Sequence, residues 1–128
     1  MSVGRAGLKA KVPDFLSFLE AKGKDGWSMG GAIMLGMKKV KTTMEHPVRI
    51  FMHNDGKKKV HRFATPVFRY VASVSSRSVE GNIVDFVTSW SDAGWLLKGA
   101  INLPATPKGS VYSGQFYYPV MCFFEACE

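Results

Sequence analysis

The stretch VYSGQFYYPVMCFFEAC at residues 111–127 is the most informative part of the sequence for the fold. Its aromatic and aliphatic side chains lack the apolar–polar alternation of a strand that has one solvent-facing side. The stretch therefore predicts one long strand, or a tight strand pair broken at residues 113–114. Because both faces are apolar, we expect this strand to lie in the centre of its sheet.

Upstream of this stretch, the sequence predicts a helix between two strands. Residues 82–94 repeat apolar side chains at helical spacing and end at a glycine, which is typical of a helix terminus. Residues 67–74 and 95–103 predict the flanking strands, and residues 104–109 predict a surface loop.

The sequence HPVRIFMHNDGKKKVHR at residues 46–62 predicts a β-hairpin. Apolar and polar residues alternate from Val48 onward, and Asn-Asp-Gly-Lys at residues 54–57 is a strong turn signal. In that register Val48, Ile50 and Met52 face inward. The opposite face of the predicted hairpin carries Arg49, Phe51, His53, Lys58, Val60 and Arg62.

The N-terminal part predicts a basic, partly mobile arm at residues 1–12 and then two helices. The first begins near Pro13 and ends at Gly23, and Ser28 could cap the second. Apolar residues from Trp27 to Met44 recur at steps that fit one helical face.

The predicted fold is therefore α+β, with a single domain at residues 13–128 after the arm. It has two N-terminal helices, a mostly antiparallel sheet and one helix inserted between strands.

The composition is that of a folded protein. The chain has 128 residues, 46% of them hydrophobic, which disfavours disorder. No apolar run approaches the roughly 20 residues of a membrane-spanning helix, and residues 1–12 lack the apolar core of a secretory signal. The two cysteines, Cys122 and Cys127, are expected to be reduced thiols in an intracellular protein.

The positive charge is unevenly distributed along the sequence. The net charge is +7, but residues 1–62 carry 13 basic and 5 acidic side chains, whereas residues 63–128 carry 4 basic and 5 acidic. A one-sided positive field attracts polyanions such as nucleic acid or anionic lipid headgroups. The alternative is that the lysines only keep the protein soluble.

Motifs for catalysis, metals and cofactors are not found in the sequence. The phosphate-loop-like run at residues 31–38 has Met37 where the loop lysine should stand. His53 and His61 fall on opposite faces of the predicted hairpin, so they do not predict a metal site. We therefore expect a protein that is not an enzyme, with no catalytic residues, no metal ligands and no cofactor.

The predicted hairpin supplies the candidate binding site. Cations around an exposed aromatic ring suit single-stranded nucleic acid, because the charges contact phosphates and the ring stacks on bases. The alternative is that Phe51 is covered by the N-terminal helices and the cations protect a strand edge. The candidate contacts are Arg49, Phe51, Lys57, Lys58, Lys59 and Arg62, with Lys38, Lys39 and Lys41 as secondary contacts.

A further candidate is the basic arm together with the apolar residues up to Leu19, which could dock on anionic lipid. The alternative is that these apolar residues pack into the core.

The last third of the chain resembles the tail of a rhabdovirus-type viral matrix protein. The shared features are a helix ending in Ser-Trp-Ser-Asp at residues 89–92, Lys98-Gly99, the proline-containing loop at residues 104–107, and Tyr112 with Gly114 before a long closing strand. The family's long proline-rich basic arm and late-domain motif are absent from this sequence. The resemblance implies a small basic α+β protein that self-associates and bridges anionic membrane and ribonucleoprotein.

Together these observations predict a non-catalytic viral structural or assembly protein, matrix-like, located in the virion or the host cytoplasm. Its expected partners are nucleic acid, above all RNA or a ribonucleoprotein, an anionic membrane surface, and further copies of itself. Two alternatives remain open: a viral or phage capsid subunit, and a cellular module that binds single-stranded nucleic acid.

Overall fold

Nine strands and two helices make up the described part of the computed structural model. The structure describes residues 2–8, 15–35, 38–40, 43–57, 59–73, 80–107, 109 and 115–127. In chain order the elements are β1 (Ser2–Leu8), α1 (Leu16–Lys24), β2 (Trp27–Met34), β3 (Lys38–Val40), β4 (Thr43–Asn54), β5 (His61–Ala64), β6 (Val67–Ser73), α2 (Glu80–Asp92), β7 (Leu96–Asn102), β8 (Thr106–Pro107) and β9 (Gln115–Cys127).

The strands form two antiparallel sheets. In the first sheet β4 lies between β1 and β2, and β3 also pairs with β4. In the second sheet β9 pairs with β5, β6, β7 and β8. The α+β class is therefore confirmed, as is the helix inserted between strands, because α2 separates β6 from β7.

The long C-terminal strand is central, as the sequence predicts. Its residues from Met121 to Glu125 are all buried, so both of its faces are covered. Met121 and Phe123 belong to the core between the sheets, and the ring of Phe124 stacks on Trp90 of α2 at 5.0 Å. The apolar density of this strand thus follows from its position between two layers.

The core lies between the two sheets, with α1 at its side. Met29, Val48, Ile50 and Met52 from the first sheet are at most 1% exposed, and they cluster with residues of the second sheet and of α1. The second sheet contributes Phe63, Ile101, Met121 and Phe123, and α1 contributes Leu19 together with Phe15 directly before it. The predicted inward face of β4 is confirmed.

The helix predicted from Ser28 is wrong, because Trp27–Met34 forms strand β2. The strand contains a bulge between Met29 and Gly31, where the register with β4 shifts. The apolar residues that pack on the core are Trp27 and Met29 before the bulge, and Ala32 and Met34 after it. The bulge interrupts the apolar–polar alternation, because the core-packed residues are two apart on each side of it and three apart across it, so the segment lacks the strict period of a strand.

The predicted hairpin of residues 46–62 is also wrong. The strand of Val48, Ile50 and Met52 exists as β4, but β4 pairs with β1, β2 and β3, whereas β5 pairs with β9 in the other sheet. Residues 55–60 therefore carry the chain from one sheet to the other. In the N-terminal part, Ser2–Leu8 of the predicted arm is paired along β4 as strand β1.

Helix α1 is confirmed close to its predicted bounds, and Gly23 lies where it meets β5. A Cβ placed on Gly23 would collide with the carbonyl oxygen of His61 and lie 2.8 Å from the ring of Phe63. Only a glycine allows this approach. The helix ends in a turn in which the N–H of Gly26 donates to the Gly23 carbonyl, and Gly26 has a φ of +90°.

Candidate nucleic-acid interface

Strand β4 presents an outer face opposite the core. Arg49 and Phe51 alternate with the buried Val48, Ile50 and Met52 and are half-buried. The side chain of His53, the next residue of this alternation, is exposed. The predicted alternation of this strand is therefore confirmed, and Phe51 lies on the side facing away from the core.

The neighbouring strands leave space beside Phe51. Its register partners are Val3 on β1 and Gly31 on β2, and a Cβ placed on Gly31 would meet no atom within 4 Å. The partner of Arg49 on β2 is Ile33, whose side chain is 51% exposed. Phe51 itself is half-buried, so part of its side chain is in contact with solvent.

Both described helices pack on other surfaces of the molecule. Helix α2 lies on the second sheet, where Phe86 contacts Phe68 and Phe124, and α1 contacts β5 and β2. Of the two N-terminal helices that the alternative places over Phe51, α1 is present, but the helix predicted from Ser28 is not. That segment is β2, the strand beside Phe51.

The loop between β4 and β5, residues 55–60, carries exposed lysines, and we name it the lysine loop. The Oδ1 atom of Asn54 accepts the N–H of Gly56 at 2.8 Å, and Oδ1 of Asp55 accepts the N–H of Lys57 at 2.9 Å. Lys57 and Lys59 are exposed, whereas Lys58 lies outside the described residues.

The electrostatic field of these lysines acts on Asp55. The N–H of Lys57 lowers the pKa of the Asp55 carboxyl below its ordinary value of 3.8, and the charges of Lys57, Lys59 and His61 contribute in the same direction. The carboxylate is therefore ionised at neutral pH, and the loop combines two described cations with one anion.

Two further lysines that the sequence analysis did not select lie near this loop. Lys22 and Lys24 occupy the last turn of α1, and Nζ of Lys22 lies 5.7 Å from the ring centroid of Trp27. The amide of Asn54 donates to the carbonyl oxygen of Asp25, directly after α1, at 2.9 Å. Sequence reasoning missed this neighbourhood because about thirty residues separate the two segments.

The structure separates Arg62 from Arg49 and Phe51, with which the predicted hairpin had grouped it. On β5 the core-facing residues are His61 and Phe63, so Arg62 between them points to the outer face of the second sheet. Arg62 is exposed and has an interaction of its own. The basic residues selected from the sequence therefore occupy more than one surface.

The secondary lysines belong to β3 or fall outside the description. Lys38 and Lys39 are the register partners of Glu45 and Met44 on β4. Lys41 lies outside the described residues. The structure therefore brings together Arg49 and Phe51 on β4 and places Lys57 and Lys59 in the loop that directly follows this strand.

A buried carboxylate connects the two sheets, and sequence reasoning did not find it. The Oε2 atom of Glu125 on β9 accepts the hydroxyl of Ser28 on β2 at 2.7 Å, and Oε1 accepts the N–H of Met29 at 2.7 Å. Nδ1 of His61 and Nζ of Lys98 lie 3.5 and 3.8 Å from Oε2. Ser28 and Glu125 are both buried, so this cluster joins the sheets and does not face a ligand.

The described residues hold no metal-binding cluster of three or more histidine, cysteine or acidic side chains. Neither of the two described helices has the length and apolar character needed to span a membrane. Burial raises the pKa of the Cys122 thiol above its ordinary value of 9.0, and the thiol is free.

No protein-family model matches the chain. The search of curated proteins finds no match, and neither does the search of solved structures.

Proposed function

We propose that this protein is a non-catalytic structural or assembly protein whose basic N-terminal half binds single-stranded nucleic acid, RNA in the first instance. The observation that carries the proposal is the half-exposed ring of Phe51 on the outer face of β4, beside Arg49 and next to the lysine loop.

The chemistry of this face suits a single strand. A ring that is open on one flank can stack on an unpaired base, and each stacked base contributes about 1–3 kcal/mol. Arg49 on the same strand face and Lys57 and Lys59 in the adjoining loop supply positive charge for the phosphates. In a duplex the bases are already stacked on each other, so the ring would contribute little.

The proposed class is a matrix-like or capsid-like subunit that forms homo-oligomers in a virion or in the host cytoplasm. The resemblance of residues 89–127 to matrix proteins supports this class. The side chains of Val84 and Leu96, which are 53% and 64% exposed, supply apolar surface for contacts between copies. A simple nucleic-acid-binding module would not need to self-associate.

An anionic membrane is the second candidate ligand, and one observation favours it. Ile33 and Leu35 are exposed aliphatic residues, and Ile33 is the register partner of Arg49. Aliphatic side chains do not stack on bases, but next to cations they can enter the headgroup region of an anionic bilayer.

The test compares Phe51→Ala with Tyr70→Ala, a substitution of another half-buried aromatic residue, on β6 of the second sheet. Fluorescence anisotropy with a labelled uridine homopolymer of about 20 nucleotides measures affinity at several salt concentrations. We expect Phe51→Ala to weaken binding by about tenfold, which corresponds to about 1.4 kcal/mol, and Phe51→Trp to retain it. Tyr70→Ala should bind like the unchanged protein.

Two further measurements decide between the ligands and the classes. If phosphatidylserine vesicles bind the protein but the RNA does not, the membrane replaces nucleic acid as the ligand. If sedimentation shows a monomer at all concentrations with and without RNA, the assembly role is wrong and the binding module remains. Equal RNA affinity of Phe51→Ala and the unchanged protein would remove the stacking role.

A further inference from the structure

The last turn of α1 and the lysine loop meet at one side chain. Nδ2 of Asn54 donates to the carbonyl oxygen of Asp25 at 2.9 Å, and Oδ1 of the same amide accepts the N–H of Gly56 at 2.8 Å. Lys24 directly precedes Asp25, and Lys57 directly follows Gly56. Asn54 therefore fixes the backbone beside a lysine on each segment.

The far end of the loop lies close to the same turn. A Cβ placed on Gly26 would lie 3.4 Å from Nδ2 of Asn54 and 3.5 Å from the carbonyl oxygen of Lys59. Gly26 has a φ of +90°, a conformation that glycine adopts without strain. The loop thus returns to the end of α1, which places Lys59 beside the turn as well.

From this arrangement we infer that Lys24, Lys57 and Lys59 form one binding site for successive phosphates of a nucleic-acid strand, with Asn54 as its positioning residue. Lys22, in the same last turn of α1, is half-buried beside Trp27. The inference rests on the proposed function and adds to it the end of α1 and the residue that joins the two segments.

The balance of charges at the end of α1 and in the lysine loop favours an anionic ligand. The exposed lysines Lys24, Lys57 and Lys59 outnumber the two exposed carboxylates, Asp25 and Asp55. The carboxylate of Asp55 already accepts the N–H of Lys57, and this hydrogen bond lowers its pKa, with a smaller contribution from the positive charges around it. A structural explanation also exists for Lys24, since cations at a helix C-terminus stabilise the helix dipole. The experiment must therefore measure binding as well as stability.

The first variant is Lys24→Glu, with Arg69→Glu as the matched control. Both side chains are exposed, and Arg69 lies on β6 in the second sheet. Because each variant replaces a cation by an anion, the two change the net charge equally. With the labelled uridine homopolymer, we expect Lys24→Glu to weaken binding at least fivefold. The slope of log affinity against log salt should fall by about 0.7 for each lost phosphate contact. Arg69→Glu should bind like the unchanged protein apart from a small long-range effect.

The second variant is Asn54→Ala, which leaves every charge in place. We expect weaker binding and a shallower salt slope, because Lys24 and Lys57 no longer hold their relative positions. Asn102→Ala, at an exposed asparagine of β7, is the control. Circular dichroism at the temperature of the binding measurement verifies that each variant is folded.

The outcomes separate this inference from the proposed function. If Lys57→Glu weakens RNA binding but Lys24→Glu behaves like Arg69→Glu, the end of α1 is not part of the site and the proposed function stands. If neither Lys57→Glu nor Lys24→Glu weakens RNA binding, both this inference and the proposed function fail. If folded Asn54→Ala keeps the affinity and slope of the unchanged protein, the positioning role is wrong. Weakened binding to phosphatidylserine vesicles alone would replace the nucleic acid by a membrane and overturn the inference.

Discussion

Aromatic side chains on the outer faces of the two sheets differ in their exposure to solvent. On the second sheet α2 covers the face, and Phe124 is fully buried between Phe86 at 6.4 Å and Trp90 at 5.0 Å. On the first sheet Phe51 remains half-exposed next to the bare backbone of Gly31. A ring enclosed on all sides contributes mainly to stability, whereas a ring open on one flank contributes little stability and remains available for a ligand.

The largest expected effect tests this difference directly. Phe124→Ala should lower the free energy of unfolding by about 3–5 kcal/mol, because it removes a buried ring and leaves a cavity under α2. Phe51→Ala should cost about 1 kcal/mol or less, as expected for a side chain that is already partly in water. Urea denaturation followed by tryptophan fluorescence measures both values. Equal losses would mean that the outer face of the first sheet is closed, and the proposed ligand surface would disappear.

The next effect concerns the connection between the two sheets. Glu125→Ala removes the acceptor of the Ser28 hydroxyl and of the Met29 N–H, and both donors lie in a buried region. Each buried donor left without a partner costs about 1–3 kcal/mol, so we expect a loss of about 2–4 kcal/mol of unfolding free energy.

Glu125→Gln is the matched control for this variant, since its amide keeps one oxygen as an acceptor and should lose less. If Glu125→Ala left the free energy of unfolding unchanged, the two sheets would be joined by apolar packing alone, and this prediction would be wrong. RNA affinity of the folded variants should not change, since Glu125 lies between the sheets and not on the outer face of β4.

The parts of the fold that follow from local patterns could be predicted from the sequence. The continuous apolar character of β9 indicated a central strand, and the spacing of the apolar residues in α2 indicated its buried stripe. Both signals are local, because a strand buried on two faces needs no alternation and a helix on a sheet needs one apolar side. The charged positions Asp85 and Asp92 on the solvent side of α2 agree with the same pattern.

The parts that depend on distant pairing could not be predicted. The bulge in β2 interrupts the alternation that marks a strand in a sequence, so its pairing with β4 is what identifies it as a strand. The turn at residues 54–57 exists, but a turn signal does not specify which strand the chain pairs with next. The contacts of Asn54 with Asp25 and of Glu125 with Ser28 join segments far apart in sequence, and the sequence pattern contains no signal for them.

The smallest expected effect concerns the negative charge of Asp55 in the lysine loop. Asp55→Asn removes an anion from the lysine loop while its amide oxygen can still accept the N–H of Lys57, so the loop should keep its shape. We expect RNA affinity at pH 7 to rise about two- to threefold, because one repulsive charge near the phosphates is lost. Asp85→Asn on α2 serves as the control and should leave the affinity unchanged.

The pH dependence of this gain follows from the lowered pKa of Asp55. A carboxyl with a lowered pKa stays ionised as the pH falls from 7 to 5, so the advantage of Asp55→Asn should be the same at both values. The advantage should disappear only below the ordinary value of 3.8, where the Asp55 carboxyl of the unchanged protein also becomes neutral. A gain that vanished between pH 7 and pH 5 would mean that the pKa of Asp55 is raised above its ordinary value, contrary to the hydrogen bond from the Lys57 N–H and to the positive charges around this carboxyl.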